Sequence, residues 1–146
     1  MENENSKSIN LRITSSQTDG MGDTETMDFF TEARYYSKEG SEYLTYKESE
    51  ISGLQGTTST LKVSPGEVTL MRFGSVNSKM VFRQGCETTS IYDTGFGSFE
   101  ITVFAEKVDI GICNNKLNSI YLKYTLMINA SGHFANEMRI SIMGNS

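Results

Sequence analysis

Apolar and polar residues alternate along most of this chain, and this two-residue period constrains the fold more than any other feature. Successive side chains of a strand point to opposite faces, so a half-buried strand shows this alternation. Helical spacing is sustained nowhere, and turn residues interrupt the alternation at about 8–12 residue spacing. We therefore predict strands over residues 8–18, 26–37, 42–50, 57–63, 67–73, 78–84, 88–93, 98–107, 119–129 and 134–143.

The predicted fold is all-β: a closed antiparallel up-and-down barrel of about eight or more strands. Residues 38–41 and 64–67 have hairpin-turn sequences. In the second turn Pro65 fixes φ and Gly66 accepts a positive φ. Because 146 residues fit one domain, we place a single domain at 8–143, with polar tails at 1–7 and 144–146.

The alternation also assigns a face to each side chain. Along the longest alternating segments it predicts an inward set of Ile120, Leu122, Tyr124, Leu126, Ile128, Met138, Ile140, Ile142, Ile101, Val103 and Ala105. The outward face then carries a second, smaller apolar set, namely Met71, Phe73, Phe104 and Met127.

Several inward positions are polar or charged. Arg72 follows Val68 and Leu70 on the inward face, and the same rule places Tyr46 and Glu48 inside. A buried charge is costly unless it is paired, so we expect Glu48 to be the partner of Arg72. The predicted hydroxyl partners are Tyr46, Tyr92, Thr94 and Tyr124, with Tyr92, Thr94 and Phe96 forming one inward row.

Two alternatives stay open for this interior cluster. It is either a closed polar network that fills the barrel, or a ligand site in which Arg72 keeps donors for a carboxylate or phosphate. Small barrels of this kind either fill with side chains or hold one small ligand. In the second case the predicted ligand-binding residues are Arg72, Glu48, Tyr46, Tyr92, Thr94 and Tyr124.

Composition excludes several function classes. The net charge is −5 and no Lys/Arg cluster occurs, so we expect neither nucleic acid nor an anionic membrane as a partner. One histidine, His133, and two distant cysteines, Cys86 and Cys113, predict no metal site, and no nucleotide-binding or nucleophile-elbow motif predicts a cofactor or hydrolase. The polar start of the chain lacks a secretory pattern, so we expect a cytoplasmic protein.

Several segments together resemble the YwiB-like family of uncharacterised bacterial proteins. They are Tyr43–Glu48, Val68–Gly74, Met80–Gly85, Tyr92–Gly97 and Ile120–Leu126, and the resemblance spans about Ser8 to Met143. It implies a calycin-type, lipocalin-like barrel and no established activity. The family's turn usually reads Thr-Pro-Tyr-Gly, whereas this chain has Thr-Gly-Phe-Gly at 94–97, and it lacks the tryptophan of true lipocalins.

Three function classes follow from these patterns. The first is a module that binds a small anion or anionic amphiphile through an interior arginine. The second is an enzyme in which Glu48, Arg72 and a tyrosine act as acid, base and electrostatic stabiliser. The third is an interaction protein with a solid interior, whose outward apolar set forms a homodimer contact.

Overall fold

The computed structural model describes residues 6–130 and 132–145, and strands occupy nearly all of this part of the chain. The ten strands there are β1 (Lys7–Thr18), β2 (Thr24–Lys38), β3 (Ser41–Lys47), β4 (Thr57–Ser64), β5 (Glu67–Gly74), β6 (Ser78–Arg83), β7 (Glu87–Asp93), β8 (Ser98–Cys113), β9 (Lys116–Ile128) and β10 (His133–Asn145). Their ranges overlap all ten predicted segments. None of the described residues belongs to a helix that could cross a membrane.

The strands form one antiparallel sheet in which every consecutive pair from β1 to β6 and from β7 to β10 is hydrogen-bonded. β1 also pairs with β10, which joins the two ends of the chain. The order across the sheet is therefore β6-β5-β4-β3-β2-β1-β10-β9-β8-β7. The all-β, antiparallel up-and-down prediction is confirmed.

The barrel is nearly closed, whereas the sequence predicted full closure. The gap arises because β6 and β7 meet without a continuous ladder of backbone hydrogen bonds. Asn77 and Asp93 exchange two backbone hydrogen bonds of 2.8 and 2.9 Å. Farther along this β6–β7 seam, hydroxyls from β7 replace backbone donors. Thr88 Oγ1 donates to Val81 O at 3.1 Å, and Ser90 Oγ donates to Lys79 O at 2.6 Å.

The β8–β9 hairpin is longer than the sequence predicts. A two-residue turn, Asn114 and Asn115, joins the strands with φ values of 54° and 64°. Asparagine tolerates this left-handed conformation, which two-residue hairpin turns require. The register shifts after Ala105 and again after Gly111. These irregularities break the two-residue period. The alternation therefore predicted one strand that ends at residue 107 and a next strand that begins at 119, whereas β8 continues to Cys113 and β9 begins at Lys116.

The packed core occupies one half of the barrel interior. The predicted inward rows lie inside, and the side chains that are almost completely buried include Leu11, Leu44, Leu61, Leu70, Phe82, Ile120, Leu122 and Ile140. On the outer surface Phe73 is 78% exposed and Phe104 is 40% exposed, as their positions in the alternation predict. The other half of the interior, toward the β1–β2 turn, stays open and holds the candidate site.

Candidate functional site

A cavity of about 640 Å³ opens at one end of the barrel. We call it the barrel cavity. Its polar wall includes Ser15, Gln17, Arg72, Tyr92, Tyr124 and Asn136, and its apolar wall includes Met27, Met80, Phe99, Ile101, Leu126, Ile128 and Met138. The loop between β3 and β4 contributes residues 50–53 to the mouth. Core side chains therefore fill one half of the interior, and the barrel cavity occupies the other half.

Strand register brings Arg72 into a polar row that crosses four strands. Tyr46 of β3 lies opposite Ser59 of β4, and Ser59 lies opposite Arg72 of β5. Arg72 in turn lies opposite Ser78 of β6. We call these four residues the interior row. Cross-strand neighbours on one face have their Cβ atoms about 4.5–5.5 Å apart, so the row is a continuous polar strip.

Glu48 lies beside this row, as predicted, although it follows the end of β3. Its backbone N–H donates to Thr57 O at 2.8 Å, which holds it against β4. Its side chain is 2% exposed and lies with Oε2 4.0 Å from Arg72 Nε. Ser59 Oγ donates to the same carboxylate oxygen at 2.5 Å. The predicted Arg72–Glu48 ion pair is therefore present in the barrel.

The Arg72 side chain is paired in charge with Glu48, but its Nε–H forms no hydrogen bond to a described residue. Its Nε is buried and has no hydrogen-bond partner among the described residues, and 4.0 Å is too long for a hydrogen bond to Glu48. The side chain is 13% exposed and lines the barrel cavity. Across the strands, the buried Ser78 hydroxyl also lacks a partner among the described residues.

Two interior tyrosines are held in their neutral form. Burial raises the pKa of Tyr46, the Glu48 carboxylate raises it further, and the Arg72 guanidinium opposes both. Burial also raises the pKa of Tyr124, again against the effect of Arg72. The ring of Tyr124 packs edge-on against Phe82 at 4.7 Å between centroids. Tyr124 lines the barrel cavity, where its neutral hydroxyl can donate a hydrogen bond, whereas the Tyr46 hydroxyl contacts Glu48 and Ser59 outside the cavity lining.

Tyr92 also lines the cavity, but the predicted inward row does not continue to Thr94 and Phe96. β7 ends at Asp93, and Gly95 turns the chain with φ 85°. Thr94 Oγ1 donates to Gly97 O at 3.0 Å within this turn. The Phe96 side chain is fully exposed at 102%. The prediction that Thr94 and Phe96 face the interior is wrong, because strand alternation ends with the strand.

Sequence reasoning overlooked several polar residues of the site. Ser59 and Ser78 follow the alternation rule, since Ser59 precedes the inward Leu61 by two positions and Ser78 precedes Met80 by two. The same signal was available for Asn136, two residues before Met138. By contrast, nothing in a sequence pattern shows that the loop residues 50–53 reach the mouth of the cavity.

No group of three or more His, Cys, Asp or Glu side chains in residues 6–130 and 132–145 is arranged to hold a metal ion. His133 is exposed at the start of β10. What the described site offers chemically is a guanidinium, tyrosine hydroxyls and the carboxylates of Glu25, Glu50 and Glu137, together with a partly apolar wall.

Comparison with known proteins identifies relatives across nearly the full length. A family described as a domain of unknown function, DUF1934, matches residues 11–142. The uncharacterized β-barrel protein YwiB of Bacillus subtilis (strain 168) is 29% identical over 125 residues, which is 86% of either chain. The crystal structure of the Bacillus subtilis ywiB protein superposes with a TM-score of 0.76 at 24% identity, covering 97% of this chain and 94% of that one. The predicted resemblance to the YwiB-like family is confirmed.

Proposed function

The chain belongs to the DUF1934 family, and from this premise we propose that its barrel binds one small molecule whose acidic headgroup contacts Arg72 and whose apolar body fills the barrel cavity. Small β-barrels such as lipocalins can hold one small ligand in their interior. We extend that mode of binding to this barrel.

The observation that carries the proposal is the state of Arg72. Arg72 lines the cavity, and its buried Nε has no hydrogen-bond acceptor among the described residues. Leaving buried donors unpaired is costly, more so for a charged group. A carboxylate or phosphate accepts hydrogen bonds from guanidinium in a paired, planar geometry. An acidic headgroup in the cavity would therefore accept from the terminal nitrogens of Arg72, while Nε lies 4.0 Å from Glu48 Oε2.

The rest of the cavity suits an apolar ligand body. A volume of about 640 Å³ falls within the range of small-molecule sites, which are mostly apolar with a few placed polar groups. Three of the apolar wall residues are Met27, Met80 and Met138. Methionine is unbranched and adapts its shape to an occupant. The hydroxyls of Tyr92 and Tyr124 add further donors on the same wall.

Calorimetric titration with decanoate and with decanol tests the headgroup requirement. We expect decanoate to bind with one molecule per chain and decanol to bind at least tenfold more weakly. Arg72→Met should weaken decanoate binding at least tenfold, while Arg72→Lys should retain part of the affinity, because it keeps the charge and loses the planar fork.

Arg83→Met is the matched control, because Arg83 lies at the outer surface and pairs with Glu67. It should leave decanoate binding unchanged. Near-ultraviolet circular dichroism of each variant separates loss of binding from loss of folding. Equal binding of decanoate and decanol, or full decanoate affinity in a folded Arg72→Met protein, would contradict the proposal. Native mass spectrometry of protein purified from cells would then identify a retained ligand or a dimer instead.

A further inference from the structure

A second set of polar side chains lines the barrel cavity, on the wall that β9 and β10 form. Tyr124 of β9 lies opposite Asn136 of β10 in the register, and both residues line the cavity. They are deeply buried, at 7% and 6% exposed. Opposite residues on one face of a sheet have Cβ atoms about 4.5–5.5 Å apart, so the two side chains form one site. We call Tyr124 and Asn136 the cavity pair.

The Asn136 carboxamide has an unused acceptor. Its Nδ2 donates to the Phe134 carbonyl oxygen at 3.0 Å. This contact fixes the orientation of the carboxamide, because a carbonyl oxygen needs a donor opposite it and Oδ1 cannot donate. Oδ1 accepts no hydrogen bond from a described residue. Because the side chain lines the cavity, Oδ1 is available to a donor on a ligand.

The Tyr124 hydroxyl has an unused donor, since it forms no hydrogen bond to a described residue. The ring reaches toward β6, where it packs edge-on against Phe82. Burial raises the pKa of Tyr124 and the Arg72 guanidinium opposes this effect, which places the hydroxyl on the Arg72 side of the cavity. The shorter Asn136 side chain stays at the β10 wall.

The cavity pair therefore offers one donor and one acceptor at different depths in the cavity. An alkyl chain between them would remove both groups from water without replacing their hydrogen bonds, which lowers affinity. A hydroxyl group carries its donor and its acceptor on a single oxygen, whereas a secondary amide carries them on opposite edges. The arrangement of the pair thus favours an amide.

We propose that the ligand is an N-acyl amino acid: its carboxylate contacts Arg72, its amide carbonyl accepts from Tyr124, and its amide N–H donates to Asn136 Oδ1. This inference rests on the proposed function and adds the chemical class of the ligand. The acyl chain then lies against the apolar wall, since Leu126 and Ile128 continue β9 beyond Tyr124 and both line the cavity. The cation, the cavity pair and the apolar wall match the acid, the amide and the acyl chain.

Calorimetry with N-octanoylglycine and undecanoate tests this inference, because the two acids have chains of equal length and differ only where the amide replaces two methylene groups. We expect N-octanoylglycine to bind about tenfold more tightly, since it forms two hydrogen bonds that undecanoate lacks. The ester O-octanoylglycolate keeps the carbonyl and loses the N–H. It should therefore bind about tenfold more weakly than N-octanoylglycine, because Asn136 Oδ1 is left without a donor.

Two variants remove the polar groups and keep the shape of the wall. Asn136→Leu should abolish the preference for N-octanoylglycine over undecanoate. Tyr124→Phe should reduce this preference severalfold, and it keeps the ring that packs on Phe82. The control is Asn118→Leu, the same substitution at an exposed position of β9 that does not line the cavity. It should keep the preference, and near-ultraviolet circular dichroism checks that each protein is folded.

The outcomes separate this inference from the proposed function. If both acids bind in an Arg72-dependent manner with equal affinity, the amide assignment is wrong while the acidic-headgroup site stands. The same conclusion follows if 3-hydroxyundecanoate binds as tightly as N-octanoylglycine, or if the preference survives in folded Asn136→Leu protein. If both acids keep full affinity for the folded Arg72→Met protein, the proposed function fails and the inference fails with it.

Discussion

Arg72 and Glu48 lie together inside the barrel, with Nε 4.0 Å from Oε2 and with Ser59 donating to the same oxygen. The two charges compensate one another, yet the Arg72 Nε forms no hydrogen bond to a described residue. Charge pairing and hydrogen bonding are thus separated at this site. The pair compensates the charge of the buried guanidinium while leaving its Nε donor without a hydrogen bond.

Removing one member of this pair should destabilise the protein more than removing both. Glu48→Gln and Arg72→Met should each lower the free energy of unfolding by about 3 kcal/mol, because each leaves a buried, uncompensated charge. The double variant should recover at least about 1 kcal/mol relative to the sum of the single effects. Urea melts of the four proteins measure this coupling, and strictly additive effects would show that the two side chains do not interact.

The β6–β7 seam should be the least protected part of the sheet. The carbonyls of Lys79 and Val81 accept from side chains of β7, and in an antiparallel strand the N–H of a residue points the same way as its carbonyl. Amide hydrogens of Lys79 and Val81 should therefore exchange faster than those of Met80 and Phe82, which face β5.

The seam hydroxyls can be tested by substitution. Thr88→Val with Ser90→Ala should accelerate exchange along β6 further, because two carbonyls lose their donors. Thr89→Val is the control, since the Thr89 hydroxyl is hydrogen-bonded to Thr102 across β7 and β8 and not to β6. Uniform exchange rates over β6, or equal effects of the two variants, would argue against an open seam.

Gly74 should tolerate alanine less well than other glycines with positive φ. Its φ is 130°, and an added Cβ would lie 2.2 Å from the Gly56 carbonyl oxygen. Gly74→Ala should cost at least about 2 kcal/mol, because backbone cannot move away as a flexible side chain can. Gly85→Ala should cost about 1 kcal/mol, since Gly85 has φ 80° but open space around it. Thermal melts that rank Gly85→Ala as equal or worse would contradict this.

Stability should fall in alkaline solution, partly through Tyr35. Burial, followed by the Glu42 carboxylate that its hydroxyl contacts, raises the pKa of Tyr35 to about 12. A tyrosine whose pKa is higher in the folded state keeps its proton to a higher pH in the folded state than in the unfolded state. The contribution of Tyr35 to the free energy of unfolding is therefore complete below pH about 10 and is lost as pH rises to about 12.

Urea melts from pH 8 to pH 11.5 should show this loss, and Tyr35→Phe should make the decline shallower. Part of the decline should remain, because the pKa values of Tyr46, Tyr121 and Tyr124 are also raised. Stability that stays level over this range would contradict the raised pKa values.

The sequence alone determined the strands and the faces of their side chains, because a two-residue period follows from local backbone geometry. It predicted that Arg72, Glu48 and Tyr46 share the interior, and the structure places them there. It failed at Thr94, because alternation does not report where a strand ends.

Only the tertiary structure decided how these faces combine. Register aligns Tyr46, Ser59, Arg72 and Ser78 into one row, and it depends on pairing between distant segments. Closure at the β6–β7 seam depends on how all ten described strands twist and tilt together. The division of the interior into a packed half and an open half depends on side-chain volumes summed around the whole barrel. Register, closure and the division of the interior all depend on residues far apart in the sequence, so the sequence of a single segment does not determine them.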